Sequence, residues 1–168
     1  SRNITTQGGY GVKTFGGASG LSGNIIRSDY LEIDQPMNNM DIGSVSLNVG
    51  EISIRTSNAG ASLLLNCRGA TVGTLTTSST HVGDIPNSVL KIINGNIAKY
   101  VSDSGLDIVE SQNLSIDAYL YGGRTAKNNI FKIDDCDSVV AQVRYTGGSV
   151  SVPDSDSTIT ASTKCKVR

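Results

Sequence analysis

The stretch FKIDDCDSVVAQV, residues 131–143, admits two incompatible readings. Cys136, flanked by Asp134, Asp135 and Asp137, has the composition of a metal or redox site. It equally suits an acidic corner joining two short strands, FKID and SVVAQV. The second reading carries a requirement. One such unit cannot bury its apolar face alone, so similar units must recur along the chain and stack.

They do recur. LSGNII, IGSVSL, CRGATV, PNSVLK, SQNLSI, CDSVVA and SDSTIT begin at Leu21, Ile42, Cys67, Pro86, Ser111, Cys136 and Ser155, at intervals of 21, 25, 19, 25, 25 and 19 residues. Each places a small or turn-forming pair before a strand-like run. Gly, Ser, Asn and Asp supply the backbone conformations and side-chain hydrogen bonds of tight corners, while Val, Ile and Leu fill a narrow interior. Helical periodicity is poor. The best helical candidate, SVLKIINGNIAKYV at 88–101, is split by Asn94-Gly95-Asn96 and reads as two strands and a corner. The sequence therefore predicts an all-β chain over residues 25–168: a parallel β-solenoid of the right-handed β-helix type. Its short strands are expected at 44–47, 62–65, 89–93, 114–119, 130–133 and 139–143, with aligned strands pairing in parallel. Residues 1–24, with glycines at 8, 9, 11, 16, 17, 20 and 23, read as a linker or cap.

Composition agrees with thin, layered packing. The 168 residues fit one domain, and with 6 Tyr, 2 Phe and no Trp the core is aliphatic. Fourteen basic residues balance 15 acidic ones without a long basic cluster, which argues against nucleic-acid binding. No apolar run approaches the roughly 18 to 20 residues of a membrane span, so no membrane insertion is expected. Lacking an initial Met, the chain reads as a mature or excised piece.

Three cysteines without a CxxC pair give neither a disulfide framework nor a zinc ribbon, and no metal or cofactor is expected. In the aligned repeat, Cys67 and Cys136 share a column but stand three stacking steps apart. At about 4.8 Å per step the separation is roughly 14 Å, against the roughly 7 Å a disulfide tolerates. Both are expected to be thiols.

Catalytic machinery is sparse. The single histidine, His81, lies in TSSTHVGD with no nucleophile-elbow context, and the glycine-rich start contains no GxxxxGK[ST]. Carboxylates remain. The residues before the aligned corners are Asp41, Asn66, Ile85, Glu110, Asp135 and Asp154. Glu110 and Asp135, one step of about 4.8 Å apart, approach the roughly 5 to 5.5 Å separation of retaining glycosidase carboxyls. Asp107 and Asp134 offer a wider spacing. The alternative is that such acids cap backbone N–H groups at corners. Stacking platforms for a sugar are limited to Tyr100, Tyr119, Tyr121, Phe131 and Tyr145.

From Ile42 to Thr160 the short strands of Ser, Thr, Asn, Gly and Val, and phrases such as LLLNCRGATV and FKIDDCDSVV, resemble the coiled shafts of bacteriophage tailspikes and tail appendages. The resemblance implies a homotrimer in the virion tail, acting outside the cell, with other phage tail proteins and a host cell-surface glycan as partners. It implies glycan contacts at Asp107, Tyr119, Tyr121 and Asp134. Three functions follow: a structural and receptor-recognition module, a polysaccharide depolymerase using Glu110 and Asp135, or a trimerisation module released by proteolysis. Open coil edges that no amphipathic helix caps also favour burial between subunits.

Overall fold

The computed structural model describes residues 4–5, 11–15, 20–34, 40–56, 62–80, 86–122, 131–147, 158–160 and 164–168. In order, the strands are β1 (Ile4–Thr5), β2 (Gly11–Phe15), β3 (Gly20–Asp34), β4 (Met40–Thr56), β5 (Leu63–Cys67), β6 (Ala70–Ser79) and β7 (Ser88–Ser102). They continue with β8 (Leu106–Val109), β9 (Gln112–Gly122), β10 (Phe131–Asp134), β11 (Asp137–Gly147), β12 (Thr158–Thr160) and β13 (Lys166–Val167).

Strand β4 shows how the chain winds. Its buried residues are Met40, Ile42, Ser44, Leu47, Val49, Ile52, Ile54 and Thr56. The alternation slips twice, at Val45–Ser46 and Gly50–Glu51, where two successive residues point away from the core. Side chains of a flat strand alternate strictly, so each slip is a corner turned around the interior. One 17-residue strand thus supplies three sides of a coil.

The next coils stack on it in register. On side one, Ile42 pairs with Leu65, Leu65 with Leu90, Leu90 with Ile108 and Ile108 with Ile133. On side two the column runs Leu47, Ala70, Gly95, Leu114, Val139. On side three it runs Ile52, Leu75, Tyr100, Ala118, Val143. Every pairing in the 13-stranded sheet is parallel. The fully buried Tyr100 fits because its neighbour in the next rung is Ala118. Each large aliphatic side chain buried in these columns contributes about 1.5–3 kcal/mol.

The chain is an all-β, parallel β-solenoid of about five turns, as its repeat predicts. Of the seven units aligned in the sequence, the one beginning at Ser155 is described only at Thr158–Thr160, which form β12 and pair with β10. The expected strand positions fall in β4, β5, β7, β9, β10 and β11, although Ser62 sits just before β5 and Ile130 lies outside the described residues. Strands are longer than expected where a corner bends the ladder without breaking it, as in β3, β4 and β7, whereas the first corner interrupts the ladder between β5 and β6, β8 and β9, and β10 and β11. The corner expected within 88–101 is present at Asn94, with φ 61°, inside the continuous β7.

Leu21 with Ile42 and Ser111 with Cys136 stand in register as aligned, but the other four steps are displaced. Pro86 does not face Ser111, since Ser88 pairs with Leu106, and Thr158 pairs with Lys132, not with Val139. Cys67 pairs with Ile92, not with Pro86, and its partner on the preceding rung is Ser44, not Ile42. The third corner, which returns each coil from side three to side one, varies in length from coil to coil, so counting residues across it slides the register. In one coil it is the tight Asp103–Gly105 turn, with Ser88 N donating to the Gly105 carbonyl at 3.0 Å.

The second corner depends on close backbone approach. A Cβ on Gly50 would lie 2.7 Å from the Asp29 carbonyl oxygen, and one on Gly73 would lie 2.4 Å from that of Gly50. The following rung carries Ala98 at this position, between the pairs Val72–Ile97 and Thr74–Lys99. Between β7 and β9 the register then shifts: Leu90 pairs with Ile108, Ile93 with Gln112 and Tyr100 with Ala118. The β8–β9 coil therefore gains a residue at its first corner and loses one at its second, and its length is conserved.

Candidate functional site

The first corner is where the acids singled out in the sequence gather. Asn94, Glu110, Asn113, Asp135, Ser138 and Lys164 all have positive φ, between 46° and 61°. The register places Asn94, Asn113, Ser138 and Lys164 in one column and Glu110 with Asp135 in another. Asn113 Nδ2 donates to Asn94 Oδ1 at 3.0 Å, linking successive rungs.

Between the two columns, Ser111 and Cys136 point inward and do the same work. Ser111 Oγ accepts from Ile92 N at 2.9 Å and lies 2.9 Å from the Val109 carbonyl and 3.3 Å from that of Leu90. Cys136 Sγ accepts from Ser111 N at 3.4 Å and lies 3.2 Å from the Asp134 carbonyl and 3.5 Å from that of Ile108. The thiol is a corner group satisfying the rung below. Burial pushes its pKa up, and that of the Cys67 thiol up to about 12, so neither supplies a thiolate at neutral pH. All three cysteines are thiols, as the stacking distance predicts for Cys67 and Cys136.

The expected ladder of acids is shorter than the alignment implied. Asp41 pairs with Leu64 and Asn66 with Lys91, so neither stands over Glu110; Ile85 and Asp154 lie outside the described residues. Glu110 forms an ion pair with Lys91, and its side chain is 57% exposed. Nearby on side one, Asp107 lies in register with Lys132, which pairs with Asp134 at 2.8 Å. Asn87 Nδ2 donates to Asp107 Oδ1 at 2.9 Å. Partial burial raises the Asp107 pKa, the Asp134 charge adds to the rise, and Asn87 and Lys132 oppose it.

Tyr119 and Tyr121 stand elsewhere, on the outer surface of side three. Arg144, in register with Tyr119, places its guanidinium carbon 4.6 Å from the ring centroid, and Lys99 Nζ is 5.6 Å from it. Arg144 also pairs with Asp117, whose Oδ2 accepts from the Tyr119 hydroxyl at 3.4 Å. Tyr121 is half exposed. Tyr145 is also exposed, whereas Tyr100 and Phe131 are buried and offer no stacking surface. The candidate residues thus form two separate groups: acids on side one and its first corner, and tyrosines with cations on side three. Lys91, Lys99, Asp117 and Arg144 were missed because their partners lie on neighbouring rungs, and Asp107 likewise stands beside Lys132 of the next rung. Only the register reveals those neighbours.

The third corner holds buried hydroxyls. Thr77 Oγ1 donates to Ser102 Oγ at 2.8 Å and Ser79 N to Asp103 Oδ2 at 2.8 Å. A cavity of about 20 Å³ there, lined in part by Thr56, Ser62, Thr77, Ser88 and Ser104, has room for one water but not for a sugar ring. His81 lies outside the described residues. Among the described residues no group of three or more His, Cys, Asp or Glu side chains is arranged to hold a metal. Compared with known proteins, the chain matches no family model, no curated protein and no solved structure.

Proposed function

We propose that the chain is a structural and receptor-recognition module of a homotrimeric phage tail appendage, which presents its side-three surface to a host cell-surface glycan. The observation that carries this reading is the group Tyr119, Tyr121, Lys99, Arg144 and Asp117, gathered where β9 pairs in register with β11. An exposed aromatic beside ordered polar and charged groups offers a sugar both an apolar ring face and hydrogen-bond partners. The partners are then two further copies of the chain, other tail proteins and the glycan, and the place of action is the virion tail, outside the host cell. Sedimentation gives the assembly state, and a glycan array identifies the ligand. A trimer whose glycan binding weakens about tenfold in Tyr121→Ala supports the reading; a monomer that binds no glycan rejects it.

A depolymerase is the second reading, with Glu110 and Asp135 as the acid pair. Partial burial raises the pKa of Asp107, on side one next to this corner, which is the direction a general acid requires. Glu110→Gln and Asp135→Asn would then each abolish glycan cleavage, and full activity in both removes the pair. A proteolytically released trimerisation module is the third reading, and a trimer that binds no glycan selects it.

A further inference from the structure

The dipeptide Asn94-Gly95 is imposed by the first corner. Asn94 has φ 61°, a conformation that Asn tolerates better than most residues. Gly95 follows because a Cβ there would lie 2.5 Å from Ile92 Cγ2 and 3.2 Å from Leu114 Cδ1. Geometry thus selects the pair of residues in which the asparagine amide is most open to attack by the next backbone nitrogen, since glycine has no side chain to shield it.

We propose that Asn94 is a deamidation site held in check by the fold. In the reaction the Gly95 nitrogen bonds to Asn94 Cγ, and the side-chain nitrogen leaves as ammonia, taking the Gly95 amide proton. The resulting five-membered imide is opened by solvent water at either carbonyl, giving aspartate or isoaspartate. Two features oppose ring closure in the folded chain. Gly95 is held in register between Ala70 and Leu114, and the Asn94 side chain is held by Asn113 through Oδ1. The imide forms only when the rung opens. Isoaspartate inserts an extra methylene into the main chain immediately before Gly95, and so displaces the side-two ladder in which Gly95, Asn96 and Ile97 pair with β6 and β9. A reversible opening becomes permanent damage at the middle of the stack.

The test incubates the full chain in mildly alkaline buffer, folded and in urea, and maps its peptides by mass. Unfolded chain should gain about one dalton at Asn94 at least about tenfold faster than folded chain, and its refolding yield should fall on the same time course. Asn113, followed by Leu114, and Asn96, followed by Ile97, serve as internal controls and should stay intact. Asn94→Asp should refold like the parent, because a carboxylate still accepts from Asn113; its failure to refold would overturn the role assigned to the added methylene. Equal rates at Asn94 in folded and unfolded chain would overturn the proposal itself.

Discussion

The coils built from β3 to β6 and those built from β7 to β11 turn the same corners by different means. In the earlier coils the first corner uses Val45–Ser46 and Arg68–Gly69, with no positive-φ residue other than glycine among the described positions. From Asn94 onward every described first corner uses left-handed residues. At the second corner the earlier coils press Gly50 and Gly73 against the carbonyl of the preceding rung, whereas the later ones carry Ala98 and then drop a residue. The solenoid thus requires a turn at each corner but does not require one residue to make it. Close approach selects glycine, and a left-handed turn selects residues that tolerate positive φ.

The strongest way to break this comparison is Gly73→Ala. With its Cβ 2.4 Å from a backbone oxygen, the variant should lose on the order of 2–4 kcal/mol in urea unfolding. Ala98→Gly at the equivalent place on the next rung should cost only about 0.5–1 kcal/mol. Equal costs would mean that the two halves turn this corner alike.

Ser111 provides the next largest effect. Ser111→Ala leaves the buried Ile92 N–H without its acceptor and should cost about 1–3 kcal/mol. Ser111→Cys should cost less than about 1 kcal/mol, because Cys136 already fills this role one rung on. Equal losses in the two variants would show that the hydroxyl and the thiol are not interchangeable.

Glycine scanning sharpens the contrast at the first corner. Glu110→Gly relieves a left-handed side chain and should stabilise by about 1 kcal/mol. Arg68→Gly, where φ is not positive, should destabilise by about 0.5–1 kcal/mol. Unfolding curves of opposite displacement are the expected result, and the same sign for both would refute the difference.

At neutral pH the smallest effects are those of titratable groups, which emerge only towards alkali or acid. Cys67 and Tyr100 keep their protons in the folded chain at a pH where the unfolded chain has released them. Their contribution is complete below the unfolded values, and for Cys67 it is lost as the pH rises from 9.0 towards about 12. Cys67→Ala should flatten this alkaline decline, as read from unfolding midpoints compared across pH. Asp107 behaves likewise in acid: its pKa is raised from 3.8, so stability falls as the pH rises through its raised folded value, and Asp107→Asn should remove that slope.

Much of this was legible in residue types. The strand–corner–strand phrase around Cys136 and the Asn-Gly at 94–95 each located a real corner, since corners restrict φ and leave a local mark on sequence. The alignment of Glu110 with Asp135 was legible because their two adjacent coils pair residue for residue around the first corner. Register across the third corner was not legible, as the displacement of Pro86 against Ile92 shows. Nor was the separation of Tyr119 from the acids: alternation tells which residues face outward but not on which of three sides.

Residue types alone were enough to specify a stack of parallel coils with aliphatic columns and polar corners, because alternation and turn chemistry are local properties of the backbone. Which rung each residue stands on was settled by the fold in three dimensions, and with it that Lys91 meets Glu110, Lys132 stands beside Asp107 and Arg144 meets Tyr119. These contacts run along the stack, perpendicular to the chain. Their partners are set by the full contour length of a turn, and one added or missing corner residue moves every one of them.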